Sequence, residues 1–151
     1  MKKLLILALF AAVTFCAAAQ ELTVATYNIR NANRGDAERG NGWERRGPWV
    51  CCLIEFHGFD IFGSQEVLDG QLHMLAQLPD YDYIGVGRDD GKTQGEYAPI
   101  FYKKERFRLL DDGHFWLSEI TDRPNKGWDA ALPRICTWGH FLDLQTKRRF
   151  W

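Results

Sequence analysis

Apolar and polar residues alternate through Leu22-Thr23-Val24-Ala25-Thr26-Tyr27-Asn28-Ile29, the two-residue period of a strand. The alternation gives way at Asn28 and Arg30 to a polar, Gly/Asn-rich loop running from Asn31 to Gly42. From Trp43 to His57 the spacing lengthens. Trp49, Val50, Leu53, Ile54 and Phe56 fall on a helical pattern there, and Pro48 lies early enough to be tolerated near the first turns. Asp60 to Gln65 reads as a short apolar strand. Asp69 to Leu78 predicts a second helix, with Leu72, Leu75, Ala76 and Leu78 on one face, Asp69 as N-cap and Pro79 as the stop. The remaining pattern is β: Tyr81 to Val86, Tyr97 to Tyr102, Phe107 to Leu117 and Ile135 to Leu144, with Phe150-Trp151 opening a further strand. A Gly-rich loop spans 87–95, a charged turn 103–105, a long Pro- and Gly-bearing loop 118–133 and a basic turn 145–149.

The order β-α-β-α followed by strands predicts an α/β fold, a mixed sheet with helices on one face. No repeat, linker or low-complexity tract interrupts it, so the chain reads as one unit. Two helices cover one face of such a sheet. The other face, rich in Phe, Tyr and Trp, calls for a partner sheet, and the expectation is that these residues supply none. A half-sandwich of this kind exposes a broad apolar face, and self-association through that face is the partner expected of it.

Composition changes this picture at the start of the chain. Lys2-Lys3, the apolar run from Leu4 to Phe15 and Ala17-Ala18-Ala19 have the order of a secretory signal peptide over residues 1–19, which predicts export to the periplasm or the medium and no stable membrane insertion. Without Lys2 and Lys3, 17 basic residues face 20 acidic ones, a net charge of −3. That balance argues against a general nucleic-acid coat, which is normally basic. Cys51, Cys52 and Cys136 remain beyond the leader, an odd number with no metal-site spacing, and the adjacent Cys51 and Cys52 read as small buried hydrophobes.

The candidate chemistry lies where two strands end. Asn28-Ile29-Arg30 and Ser64-Gln65-Glu66 each close an apolar run, with one helix-length segment between them, so the strands can lie side by side with both polar tips at one edge. An amide and a carboxylate brought together there suit a hard cation such as Mg²⁺, which takes oxygen ligands and keeps several waters. That suggests phosphoester chemistry.

Four segments extend the argument: Thr26-Tyr27-Asn28-Ile29-Arg30, Gln65-Glu66-Val67, Gly95-Glu96-Tyr97-Ala98-Pro99-Ile100-Phe101-Tyr102 and Gly127-Trp128-Asp129-Ala130-Ala131-Leu132-Pro133-Arg134. Together, in this order, they resemble the amino-terminal half of an exported bacterial member of the endonuclease/exonuclease/phosphatase family. The resemblance implies half of a four-layer α/β sandwich over residues 20–151, truncated. It further implies a Mg²⁺- or Mn²⁺-dependent hydrolase that cleaves a phosphate mono- or diester with a metal-assisted water. Glu66 matches the family's metal-binding glutamate. Asn28 matches the asparagine beside the metal, in a metal-binding or catalytic role. Glu96 matches the glutamate that orients a catalytic histidine, and Arg134 a phosphate-contacting arginine. Arg30 is a second candidate for substrate phosphate, and Arg46 a weaker one. Trp128 is the one tryptophan placed to act as a substrate platform. His114 and His140 fall within strands and read as packed residues. The family's later Asn-Thr-His, Gly-Asp-x-Asn and Asp-His segments have no counterpart here, so these 151 residues alone are expected to be inactive. The substrate class stays open among nucleic acid, nucleotide, phospholipid head group and sugar phosphate. The alternative from another class is a non-enzymatic exported binding protein that uses the half-fold as a dimer or complex subunit.

Overall fold

A computed structural model describes residues 21–151. The leader read over residues 1–19 lies outside the described residues. The elements in chain order are β1 (Val24–Asn28), α1 (Arg34–Glu38), α2 (Trp43–His57), β2 (Ile61–Gln65), α3 (Asp69–Leu75), β3 (Tyr81–Ile84), β4 (Ile100–Lys103), β5 (Phe107–Trp116), β6 (Ile135–Asp143) and β7 (Arg149–Phe150). None of these helices is long and apolar enough to cross a membrane.

The expected strands form, but in two sheets. One is mixed, in the order β1-β2-β4-β3, and the other is antiparallel, in the order β5-β6-β7. β1 and β2 run parallel with Asn28 opposite Gln65, so both polar tips lie at one edge. The alternation of side chains across each strand explains the layers. Phe62 and Phe101 face the helices and stack with centroids 4.9 Å apart, beneath Val50 and Ile54 of α2 and Leu72 and Leu75 of α3. Their neighbours Ile61 and Tyr102 point the other way, onto Phe107 and Phe141 of the second sheet. The face expected to be bare therefore carries a partner sheet, and the molecule has three layers, helix, sheet and sheet.

The second sheet departs from the first at a charged joint. Arg106 is buried, and its guanidinium lies 2.6 Å from Asp60 and 3.8 Å from Asp143. Lys103 reaches Asp60 at 3.2 Å, and the Thr23 N–H donates to the same carboxylate at 2.8 Å. The turn that composition marked only as charged thus holds the start of β2 to the end of β6. Two smaller departures have local causes. The polar loop after β1 contains the short helix α1, capped by Asn33, whose side chain accepts from the Asp36 N–H at 2.9 Å. β4 begins at Ile100, after Pro99, which has no N–H to give a ladder. Tyr97 instead makes single bridges to Val67 and Gly87.

Apolar surface remains on β1 and α2, where Val24, Trp49 and Phe56 are 65, 74 and 85% exposed.

Phe141, packed against Tyr102 and Phe107, joins the two sheets. Phe141→Ala is expected to cost about 3–5 kcal/mol in urea unfolding, whereas Val24→Ser should stay within about 0.5 kcal/mol.

Candidate functional site

Both strand tips leave the sheet through a left-handed residue: Arg30 has φ of +57° and Glu66 of +60°. A non-glycine residue holds this conformation only where its surroundings impose it, at a cost on the order of 1 kcal/mol or more. The surroundings are hydrogen bonds. Asn28 Nδ2 donates to Glu66 Oε1 at 2.9 Å, and Asn28 Oδ1 accepts from the Arg30 N–H at 2.8 Å. Glu66 Oε2 accepts from the Asn31 N–H at 3.1 Å. The Asn28 amide, the Asn31 N–H and the charge of Arg30 hold the Glu66 carboxyl below the usual glutamate range, so it is ionised at neutral pH.

The loop between these contacts is clamped from two helices. Arg46 of α2 donates to the carbonyls of Ile29 at 2.9 Å and Arg30 at 3.1 Å. Gln71 of α3, 1% exposed, donates to the Arg30 carbonyl at 3.1 Å and accepts from the Ala32 N–H at 2.9 Å. These bonds replace the ladder partners the loop loses on leaving the sheet.

A second loop brings in Glu96. Residues 87–96 double back on themselves, with the Arg88 N–H bonded to the Glu96 carbonyl at 3.2 Å and the Asp89 N–H to the Gln94 carbonyl at 3.0 Å. Gly95, at φ of +80°, makes the return possible, since a Cβ there would lie 2.5 Å from the Asp89 carboxylate. Glu96 Oε1 accepts from Asn31 Nδ2 at 2.8 Å, and Glu96 Oε2 from Arg88 Nη1 at 2.5 Å. Asn31 therefore touches both carboxylates, Glu66 with its backbone and Glu96 with its side chain.

Asn28, Glu66, Arg88, Glu96 and Arg134 line one open cleft of about 310 Å³, with Leu117 and Ile135 on its apolar wall. Arg134 is exposed and enters from the second sheet, just ahead of β6. Of the residues expected from sequence, Asn28, Glu66, Glu96 and Arg134 come together. Arg30 does not join them. Its guanidinium pairs with Asp36 through Nε, and through Nη2 at 2.9 Å, and keeps that carboxyl well below the usual range. Arg46 serves the loop backbone. Trp128 is 75% exposed and is not among the residues lining the cleft. The expected helper of Glu96 is a histidine, and none lines the cleft among the described residues.

No family model matches the chain. The curated protein R895 of Acanthamoeba polyphaga mimivirus, itself uncharacterized, is 30% identical over 95 aligned positions, 55% of this chain and 14% of that protein. Solved structures match much further. The mannosyl-6-phosphatase Bt3783 of Bacteroides thetaiotaomicron VPI-5482 is 54% identical, with a TM-score of 0.84 over 86% of this chain and 49% of that one. An endonuclease/exonuclease/phosphatase family protein of Bacteroides vulgatus is 47% identical, with a TM-score of 0.83 over 87% of this chain and 51% of that one. Solved endonuclease/exonuclease/phosphatase family proteins thus share the fold of this chain at 47–55% identity over 85–87% of its length. The chain spans about half the length of these solved relatives. The human nocturnin catalytic domain, 17% identical with a TM-score of 0.63 over 85% of this chain and 46% of that one, shares the fold.

Within this fold, the donor set fits a hard divalent cation in one respect that can be read directly: Glu66 offers an ionised oxygen beside an open cleft. Among the described residues no group of three or more acidic, His or Cys side chains could hold a metal by itself. A single carboxylate beside open space is the kind of site that Mg²⁺ completes with waters and substrate oxygens. The Asn28 oxygen faces the Arg30 N–H, so as placed Asn28 orients Glu66 through its amide nitrogen. Asn31, Gln71 and Arg88 were missed by sequence reasoning. For Arg88 a signal existed: Gly87-Arg88 and Gly95-Glu96 repeat a Gly-charge pair at the two ends of one short loop.

Gln71→Leu would leave the Arg30 carbonyl and Ala32 N–H unpartnered and is expected to destabilise the fold by about 1–3 kcal/mol in urea unfolding. Glu66 should titrate below an ordinary glutamate when its side-chain carbon is followed by NMR. The sign follows from the lowered value. Its contribution to stability is complete above the ordinary glutamate range and is lost as pH falls through the lowered one, so Glu66→Gln and the native chain should converge in stability on acidification.

Proposed function

We propose that the chain carries the metal- and phosphate-holding part of a phosphoesterase site, which acts on a phosphate mono- or diester. The observation that carries this reading is the convergence of Glu66, Asn28, Glu96 and Arg134 on one cleft from two sheets and two loops. Glu66 would hold Mg²⁺ or Mn²⁺, and the ion would supply positive charge against a phosphoryl oxygen. Asn28 fixes the direction of the Glu66 carboxylate. The Arg134 guanidinium has no ion-pair partner among the described residues and offers a planar fork to two phosphate oxygens. Glu96, held by Asn31 and Arg88, is a fixed acceptor suited to orienting a catalytic imidazole. The likeness to a mannosyl-6-phosphatase at 54% identity favours a sugar phosphate over the other phosphoesters. The leader composition of residues 1–19 favours action outside the cytoplasm.

On this reading the chain binds metal and phosphate, and with no histidine lining the cleft among the described residues it should hydrolyse a phosphomonoester very slowly or not at all. Titration with Mn²⁺, followed by calorimetry or electron paramagnetic resonance, tests the binding half of the claim. Asn28→Ala should weaken Mn²⁺ by about 10–100-fold, the range for an outer partner of a ligand, and Glu66→Gln by more. Equal Mn²⁺ affinity in the native chain and Glu66→Gln would remove the reading.

A further inference from the structure

The cleft contains a contradiction that any phosphate ligand must meet. Two carboxylates, Glu66 and Glu96, line the same space of about 310 Å³ that an anion has to enter. The charge of Glu66 is answered by the cation it would hold. The charge of Glu96 has to be answered by a side chain.

The answer lies in Arg88. Its side chain is 10% exposed and that of Glu96 19%, and they meet at 2.5 Å. The other Glu96 oxygen is taken by Asn31. Arg88 is itself fixed from the second sheet, since its carbonyl accepts a buried hydrogen bond from the Trp116 indole at 2.8 Å. Its Nε is buried with no hydrogen-bond partner among the described residues, although Asp89 lies 3.7 Å away. A buried guanidinium with one N–H left unsatisfied is a costly way merely to hold a loop.

We infer that Arg88 is a positioning residue that makes this acidic cleft fit for an anion. By pairing with Glu96 it offsets that carboxylate and fixes its direction, leaving Arg134 free for the phosphate of the substrate. The inference rests on the phosphoester reading above and names how the same cleft tolerates its ligand.

Inorganic phosphate, titrated calorimetrically into the full chain with Mn²⁺ present, is the probe. Arg88→Ala uncovers a little-exposed carboxylate beside the phosphate, and affinity should fall by roughly tenfold or more. Arg88→Lys, which keeps the charge, should retain most of it. The decisive variant is Arg88→Ala combined with Glu96→Gln, which should return affinity toward the native value when Arg88→Ala and the double variant are compared as folded proteins of matched near-ultraviolet circular dichroism, so that the affinity change reports charge in the cleft and not the state of the fold. Glu96→Gln alone should tighten phosphate binding, and this variant decides the matter if Arg88→Ala fails to fold by near-ultraviolet circular dichroism. Native phosphate affinity in Arg88→Ala, no rescue in the double variant, or no tightening in Glu96→Gln overturns the role of Arg88 and leaves the phosphoester reading standing. A native chain that binds no phosphate in the presence of Mn²⁺ overturns both.

Discussion

The site hangs from the backbone of residues 29 to 32. A chain leaving a sheet loses its ladder partners, and polar groups near a core must find others. Here three elements supply them: Arg46 from one helix, Gln71 from another and Glu66 from the neighbouring strand tip. Each of those elements is fixed in turn by the hydrophobic core under α2 and α3. Apolar packing therefore decides where a carboxylate points, and the left-handed turns at Arg30 and Glu66 are sustained by contacts that also orient the chemistry.

The second sheet contributes more than cover. Arg134 reaches the cleft from the start of β6, and Trp116 at the end of β5 holds the carbonyl of Arg88. The cleft is thus a seam between sheets, with acids from the first and the Arg134 guanidinium from the second. Inter-sheet contacts such as Tyr102 on Phe141 set how far apart those charges stand.

Much of this was legible in the chain. Strands that stop in Asn28 and Glu66 announce their tips, because period-two patterns are local and a sheet edge follows from parallel pairing. Glu96 and Arg134 were legible through motif likeness. The second sheet was not, because Phe107 to Leu117 carries no mark of which face it will cover, and the turn before it looks like any solvated charged hairpin. Its burial comes from Arg106 meeting Asp60 and Asp143, partners far away in sequence. Asn31, Gln71 and Arg88 were hidden for the same reason. Their partners are loop backbone and side chains that become neighbours only once the core has formed. Arg30 shows the reverse: a plausible phosphate arginine by position, it is occupied by Asp36 six residues on.

The joint of Asp60, Lys103, Arg106 and Asp143 sits at the start of β2 and the end of β6, whereas Glu66 and Arg134 sit at the opposite ends of those strands. The two sheets therefore act as callipers, pinned at one tip and reading out at the other. Over a lever of roughly 20 Å, the length of six or seven extended residues, a rotation of about 3° at the pin shifts the jaws by about 1 Å, enough to spoil alignment between reacting groups. Residues with no view of the cleft thereby set its gauge.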